Sequence, residues 1–240
     1  MSLIVPEWPA PARVKSLMTT RSGGSSQTPW TSLNLGDHVG DDPARVAANR
    51  ARLRQQLPAE PGWLKQVHSS RVVELGRASN PEADAAFTRQ TAQVCAVLTA
   101  DCLPVLLCDR TGSVVAAAHA GWRGLVGGVL EATVAAMQVP PEEILVWMGA
   151  AIGPQAFEVG VEVREAFVAQ HQAAAVAFAS QPTAGKWLAD IYQLARIRLS
   201  HAGVQAIHGG GRCTFSEADS FLSYRRDGVT GRMASLIWLE

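Results

Sequence analysis

Three short apolar runs lie close together in the middle of the chain, and they limit the possible folds more than any other feature. They read AQVCAVLTA, LPVLLCD and SVVAAAHA, between residues 92 and 120. Runs of this length and composition are typical of strands that are buried on both faces of a sheet. Several predicted strands follow one another directly while others alternate with helices, so we expect a mixed sheet and not a purely parallel one.

The remaining segments predict further strands and helices. We expect strands at 13–21, 142–151, 204–215 and 232–239, a strand pair at 63–75, and helices at 42–57, 125–137, 161–170 and 187–201. No repeat or linker divides the sequence. The prediction is therefore an α/β fold of the α+β type, a single domain over residues 1–240 with a mixed β-sheet core flanked by helices.

Charge and hydropathy exclude two classes of partner. The chain has 21 basic and 21 acidic residues, so its formal net charge is zero and no global field attracts nucleic acid. No apolar run approaches the ~20 residues that a membrane span requires. The start, MSLIVPEWPAPARVK, lacks the basic and apolar regions of a signal peptide. We therefore expect no nucleic-acid or membrane partner and a cytoplasmic location.

Polar residues stand at the edges of the apolar runs. Asp101 and Cys102 separate two of the runs, His119 nearly ends the third, and His68 lies at the expected turn of the 63–75 pair. Two neutral imidazoles and one thiolate suit Zn²⁺, and a catalytic zinc site takes three protein ligands and leaves one position open. Spacing alone leaves a zinc site open beside the alternative of three unrelated core or surface residues.

Two other interpretations use some of the same residues. In the first, Cys102 is a nucleophile, His119 its base and Asp101 the group that orients the base. Adjacent residues of an extended strand point to opposite sides, which disfavours a direct relay through Asp101. In the second, the same residue types bind copper, but the chain has only six histidines, too few for a multicopper oxidase. Cys95 and Cys108 lie inside apolar runs and should be buried free thiols.

Arginines near glycine-rich turns are candidates for binding an anion. They are Arg21 in RSGGSS, Arg123 in GWRG, and Arg225, Arg226 and Arg232 in YRRDGVTGR. A helix that starts after the HAG of HAGWRG would add backbone N–H donors. Each arginine taken alone is more often a solvated charge or a surface ion pair. Together they make phosphate a reasonable ligand.

Two asparagines are further candidates for binding substrate. Asn34 lies in the polar loop SLNLGDHVGDD. Asn49 falls on the apolar face of the predicted 42–57 helix, together with Val46 and Leu53. A polar side chain in that position requires a hydrogen-bonding partner or a ligand.

Several motifs occur in a fixed order along the chain. They are TTRSGGSS, SLNLGDHVGDD, KQVH, TADC, HAGWRG, GAAIGPQAFEVG and FLSYRRDGVTGRMAS. With these motifs the chain resembles the YfiH or laccase-domain family, from about residue 13 to residue 238. The family was earlier described as polyphenol oxidoreductases and is now described as zinc-dependent purine nucleoside phosphorylases that also deaminate adenosine.

The resemblance implies a metal site, a fold and a set of substrates. The family's zinc ligands fall on His68, Cys102 and His119, and copper is a less favoured alternative. The family fold is a single mixed α/β domain with the metal in a cleft, often in a homodimer. The implied substrates are phosphate and the nucleosides adenosine, inosine, guanosine and S-methyl-5′-thioadenosine.

The resemblance also implies two reactions. In deamination, zinc-activated water attacks C6 of adenine and ammonia leaves, and Asp101 is the nearest candidate for carrying the proton. In phosphorolysis, phosphate attacks C1′ of the nucleoside and the purine leaves. An arginine would hold the phosphate through paired hydrogen bonds. The candidates for that role are Arg21, Arg123, Arg225 and Arg226.

Overall fold

The structure, a computed structural model, describes residues 1–76 and 80–240. The strands are Leu3–Ile4 (β1), Val14–Thr19 (β2), Pro61–Gly62 (β3), Val72–Glu74 (β4), Ala85–Thr88 (β5), Val94–Thr99 (β6), Leu103–Asp109 (β7), Val115–Ala120 (β8), Ile144–Met148 (β9), Glu158–Gly160 (β10), Phe178–Ser180 (β11), Lys186–Ala189 (β12), Ala206–Gly209 (β13) and Met233–Leu239 (β14). The α-helices are Pro43–Arg54 (α1), Trp122–Val126 (α2), Val129–Met137 (α3), Val161–Gln170 (α4), Ile191–His201 (α5) and Tyr224–Asp227 (α6). Short 3₁₀ helices span Pro141–Glu143 and Gln172–Ala177.

Two large mixed sheets form the centre of the molecule. One has the strand order β1-β2-β14-β6-β3 and the other β13-β9-β7-β8-β5-β4. In each sheet antiparallel pairs predominate, and parallel pairs occur at β3 with β6, β4 with β5 and β13 with β9. A small antiparallel sheet has the order β10-β12-β11. The α/β fold class is confirmed, although the strands are divided among three sheets where the sequence predicted one.

The central strands are buried on both faces, as their composition predicted. On β7, Val105 and Leu107 pack in a core with α3 and α5, whereas Leu106 and Cys108 pack in a second core between the two large sheets. This alternation is the period of two of a β-strand. A third core lies between the five-stranded sheet and α1, which contributes Leu53. The order of layers is therefore helix, sheet, sheet, helices.

Two predicted helices differ from those in the structure. The predicted 125–137 helix is divided, because Gly128 has a φ of +92° and separates α2 from α3. The predicted 187–201 helix begins only at Ile191, where the Asp190 side chain accepts a hydrogen bond from the Gln193 N–H. The residues before it form β12 of the small sheet. Short apolar segments do not distinguish a strand from a helix end by periodicity alone.

Two predicted strand regions are shorter in the structure. The predicted 63–75 pair contains only β4, and His68 lies in an irregular loop with a φ of +61°. The predicted 204–215 strand ends at Gly209, the first of three successive glycines with positive φ. Among the helices in the described part of the chain, none is long and apolar enough to cross a membrane.

Candidate metal centre

Strand pairing brings Cys102 and His119 together. Cys102 lies in the turn between β6 and β7, where Asp101 has a left-handed backbone with a φ of +87°. Strand β8 runs antiparallel to β7, and His119 stands opposite Pro104. The end of β8 therefore meets the turn that carries Cys102. His68 reaches the same place from the loop before β4.

The three side chains form a compact donor group. Their ligand atoms all lie within 4.8 Å of one another, and Cys102 Sγ is 3.7 Å from His68 Nε2. The rings of His68 and His119 are edge to face, with centroids 4.7 Å apart. Tetrahedral zinc with ordinary Zn–N and Zn–S bonds would separate a sulfur and a nitrogen ligand by about 3.6 Å. The donor types and their separation fit a zinc ion.

Gly121 allows the three ligands to approach one another. A Cβ atom at this position would lie 2.6 Å from His68 Cδ2 and 3.0 Å from Cys102 Sγ. Any other residue would push the His68 ring or the Cys102 thiol away. Gly121, the first glycine of HAGWRG, is thus required by the geometry of the donor group.

Asp84 is the carboxylate that organises the site, although it was not among the residues predicted from the sequence. Its side chain is fully buried, and Oδ1 lies 2.8 Å from His119 Nδ1. It also accepts hydrogen bonds from the backbone N–H groups of Val67, His68 and Ser69. A carboxylate on one ring nitrogen fixes the imidazole so that its other nitrogen can bind a metal. Asp84 therefore positions two of the three ligands.

The electrostatics of the metal-free cluster favour a thiolate. Burial raises the pKa of Cys102, but the charge and hydrogen bond of His119, together with His68, lower it by more. The net result is a pKa of about 6. Burial likewise lowers the pKa of His119, but Cys102 and Asp84 raise it to about 9. Burial alone raises the pKa of Cys95 and contributes most to raising that of Cys108. As predicted, these two are free and buried.

This difference predicts a selective alkylation. After chelation of the metal, Cys102 should react with iodoacetamide half-maximally near pH 6, whereas an unperturbed thiol does so at about 8.5. Cys95 and Cys108 should stay unmodified in the folded protein. Peptide mapping by mass spectrometry across a pH series measures each site separately. A Cys102 midpoint at or above 8.5 would contradict the ion pair with His119.

Two cavities meet at the donor group. One, of about 380 Å³, is lined by all three ligands and by polar residues that include His38, Gln66 and Arg232. The other, of about 220 Å³, is more apolar and includes Trp122, Phe157 and Ile191. Cys102, Ala100 and the exposed Tyr224 line both cavities. We call the first the polar cavity and the second the aromatic cavity. A metal at the donor group would be accessible from both.

Of the five arginines that were candidates for binding an anion, Arg232 lines the polar cavity and the other four form two pairs. Arg21 donates to the carbonyls of Thr31 and Ala218, and Arg226 donates to three carbonyls and to Asp227. These two guanidinium groups hold neighbouring loops. Arg123 and Arg225 instead line the aromatic cavity. Arg123 lies over the Trp122 ring at 4.4 Å, and Arg225 donates to the Glu158 carbonyl.

Asn34 and Asn49 hold the polar loop together. Both are fully buried. Asn49 Oδ1 accepts from the Ser25 N–H, and Nδ2 donates to Ser26 Oγ and to the Asn34 carbonyl. Asn34 Nδ2 donates to Asp41 and to the Gly36 carbonyl. The polar residue on the apolar face of α1 has its partners inside the protein.

These contacts predict that replacing Asn49 affects stability first. Asn49→Ala would leave several buried polar groups without partners, at a cost of about 2–4 kcal/mol in the free energy of unfolding. Chemical denaturation measures the change. Gln56→Ala, an exposed position just after α1, is the control and should change the stability by less than ~0.5 kcal/mol. Full stability of Asn49→Ala with a loss of activity would instead indicate substrate binding.

Asp101 does not contact His119. Its carboxylate accepts hydrogen bonds from Thr214 Oγ1 and from the Arg225 N–H, while Asp84 holds the imidazole. The alternative relay from Asp101 through His119 to Cys102 is therefore absent from this arrangement. Asp101 does line the aromatic cavity beside Cys102.

Comparison with known proteins identifies the family. Residues 15–240 match a family model described as multi-copper polyphenol oxidoreductase laccase. The chain belongs to this laccase-domain family. One relative of this laccase-domain chain, from Pseudomonas aeruginosa, is 58% identical, and the alignment covers 99% of this chain and 98% of the relative. YfiH of Escherichia coli is 56% identical with the same coverage. Both relatives carry the name purine nucleoside phosphorylase.

Solved structures of similar proteins have the same fold. A Neisseria meningitidis protein superposes with a TM-score of 0.95 at 54% identity, over 100% of both chains. YlmD of Geobacillus stearothermophilus superposes with a TM-score of 0.87 at 31% identity, over 95% of this chain and 93% of that one. The resemblance drawn from the sequence motifs, and the fold class it implied, are confirmed.

Proposed function

We propose that this laccase-domain chain is a zinc-dependent purine nucleoside phosphorylase that also deaminates adenosine. The observation that carries the proposal is the group of His68, Cys102 and His119 at the junction of two cavities. Three protein ligands with an open side are the arrangement of a catalytic zinc site. The names of the relatives at 58% and 56% identity support nucleosides and phosphate as substrates.

Zinc is preferred over copper because of the available ligands. Two histidines and one cysteine also suit a single copper ion. A multicopper oxidase, however, requires further histidine clusters. Among the described residues, the group at His68 is the one set of three or more potential ligands that lies together. The name of the matched family is therefore a poor guide to the metal.

The aromatic cavity suits the purine. A purine ring prefers flat apolar contact, which Trp122, Phe157 and Ile191 offer, and the exposed Tyr224 lines both this cavity and the polar one. Arg123 and Arg225 in the same cavity are proposed to bind polar groups of the substrate. A nucleoside bound there for phosphorolysis would present C1′ towards the donor group.

The proposed reactions divide the work among a few groups. When bound to the three ligands, zinc supplies a Lewis acid that activates an oxygen nucleophile. In phosphorolysis, a phosphate oxygen bonds to C1′ while the glycosidic bond breaks. The electron pair of the glycosidic bond leaves with the purine. In deamination, water adds to C6 and ammonia leaves. Asp101, next to Cys102 and facing the aromatic cavity, is the proposed proton carrier.

Product analysis with and without phosphate tests the proposal. Inosine and phosphate should give hypoxanthine and ribose 1-phosphate, with no cleavage when phosphate is left out. Adenosine without phosphate should give inosine and ammonia. Chelation should stop both reactions, and added zinc should restore them. Release of free ribose, or turnover that resists chelation but stops on thiol alkylation, would contradict the proposal and favour a cysteine hydrolase.

A further inference from the structure

Arg232 is a half-buried arginine in the polar cavity beside the metal ligands. In the described part of the chain, the guanidinium hydrogen bonds come from Nη1 alone, which donates to the carbonyls of Thr230 and Gly231. Among the same residues no carboxylate pairs with it. Its Nε and Nη2 hydrogens therefore have no hydrogen-bond acceptor among these residues, and Cys102 and Asp101 act on its charge only through space.

The polar loop holds Arg232 in place. Asn34 Oδ1 accepts from the Arg232 N–H at 2.8 Å, and the Leu35 N–H donates to the Arg232 carbonyl at 3.0 Å. A Cβ atom on Gly36 would lie 2.8 Å from Arg232 Cγ, so the loop packs directly against the arginine side chain. The polar loop thus holds the backbone and the aliphatic part of Arg232, while the Nε and Nη2 donors of its guanidinium group stay free.

A second polar group in the wall of the cavity is also unpaired. Thr99 is 1% exposed and lines the polar cavity, and its buried hydroxyl has no hydrogen-bond partner within residues 1–76 and 80–240. A buried hydroxyl without a partner is unfavourable unless a ligand supplies one. Thr99 stands opposite Met233, the residue that follows Arg232, so Thr99 and Arg232 lie at the same end of the β6–β14 pair and both line the polar cavity.

We propose that Arg232 and Thr99 form the subsite for inorganic phosphate in the polar cavity, opposite the purine across the metal ligands. The subsite rests on the proposed phosphorolysis. Guanidinium groups bind phosphate through paired, charge-assisted hydrogen bonds, and a threonine hydroxyl can donate to a third oxygen. Phosphate on this side would face a nucleoside in the aromatic cavity. The two co-substrates would then meet at Cys102, which lines both cavities.

The first test compares two arginines. Arg232→Gln removes the charge at the proposed subsite, and Arg196→Gln is the matched control. Arg196 is also half-buried and also donates to two backbone carbonyls, those of Ile207 and Gly209, but it does not line either cavity. Arg232→Gln should weaken the binding of inorganic phosphate about 10- to 100-fold by calorimetry and raise the KM for phosphate by the same factor. The KM for inosine and the metal content should stay unchanged, and Arg196→Gln should match the wild type in phosphate binding.

The second test removes the hydroxyl alone. Thr99→Val is nearly isosteric, and because the hydroxyl has no protein partner, the melting temperature should not fall. Phosphate binding should weaken by about 3- to 10-fold. Ser235→Ala is the control, since Ser235 also carries a buried unpaired hydroxyl but lies in the sheet away from the cavity wall.

The outcomes separate this inference from the proposed function. A phosphate-dependent wild type whose Arg232→Gln variant keeps the wild-type KM and affinity for phosphate overturns the subsite alone. If Arg123→Gln or Arg225→Gln raises the KM for phosphate instead, phosphate belongs in the aromatic cavity and the subsite is wrong. A wild type that neither binds phosphate nor requires it overturns both proposals.

Discussion

Cys102→Ala is expected to lower the phosphorolysis rate roughly a thousandfold. The substitution removes the sulfur ligand from a three-residue donor group. The two remaining imidazoles are too few ligands to hold zinc in a catalytic site. Loss of Lewis-acid stabilisation worth several kcal/mol corresponds to a rate loss of about this size. Steady-state assays with inosine and saturating phosphate measure the effect. The fold should be retained, since Cys102 is only half-buried in a turn.

Cys213→Ala is the matched control for this loss. Cys213 is also a half-buried free thiol, and its sulfur accepts a hydrogen bond from the Gly153 N–H at 3.2 Å. It lines neither of the cavities at the donor group. Its replacement should leave the rate within about twofold of the wild type. Equal losses in the two variants would mean that thiol removal acts through the fold and not through the metal.

Asp84→Asn is expected to weaken metal binding about 10- to 100-fold, the usual effect of removing a carboxylate that orients a metal-binding histidine. The amide can no longer accept from His119 Nδ1 and from the 67–69 backbone at once. Competition with a chromogenic chelator measures the zinc affinity. Unchanged affinity would show that Asp84 does not position the ligands.

Asp109→Asn is the control that distinguishes the contribution of a buried carboxylate to stability from the positioning of metal ligands by Asp84. Asp109 is also buried, and it accepts hydrogen bonds from Thr111, Ser113 and Val114 in the turn after β7, away from the metal ligands. Both variants should be destabilised by a few kcal/mol, since each leaves buried donors unpaired. Zinc affinity should fall only in Asp84→Asn.

The same carboxylate gives the metal-free protein a defined acid sensitivity. Burial raises the pKa of Asp84, but hydrogen bonds from His119 and Ser69 lower it overall from 3.8 to about 2. Its stabilising contribution is therefore present above pH 3.8 and is lost as the pH falls towards 2. Asp84→Asn should show a smaller loss of stability over that interval in acid unfolding experiments. An unchanged acid dependence would contradict the lowered pKa.

The fold class could be predicted from the sequence because burial leaves a direct trace in composition. Residues on both faces of β7 are apolar, since Val105 and Leu106 each contribute to a separate core. The boundaries were less accurate where glycines end an element. Gly128 has a positive φ and divides a predicted helix, and the periodicity of apolar residues does not reveal a positive φ.

Parts of the candidate site depend on contacts between distant residues, which a single sequence does not show. Asp84 and His119 are 35 positions apart, and only the pairing of β5 with β8 brings them together. A carboxylate flanked by alanines in the segment ADAAF was the available signal. Arginines pose a related difficulty. Arg21 and Arg232 both lie next to glycine-rich turns and both donate to backbone carbonyls, yet only Arg232 keeps free donors in a cavity beside the metal ligands.

The most direct test of the account is the metal content of the purified, untagged protein, measured by elemental analysis alongside Cys102→Ala and Cys213→Ala. The account predicts one zinc per chain in the wild type and in Cys213→Ala, and a loss of most of that zinc in Cys102→Ala. Copper in excess of zinc, no stoichiometric metal, or an equal zinc content in Cys102→Ala would contradict a zinc site built from His68, Cys102 and His119.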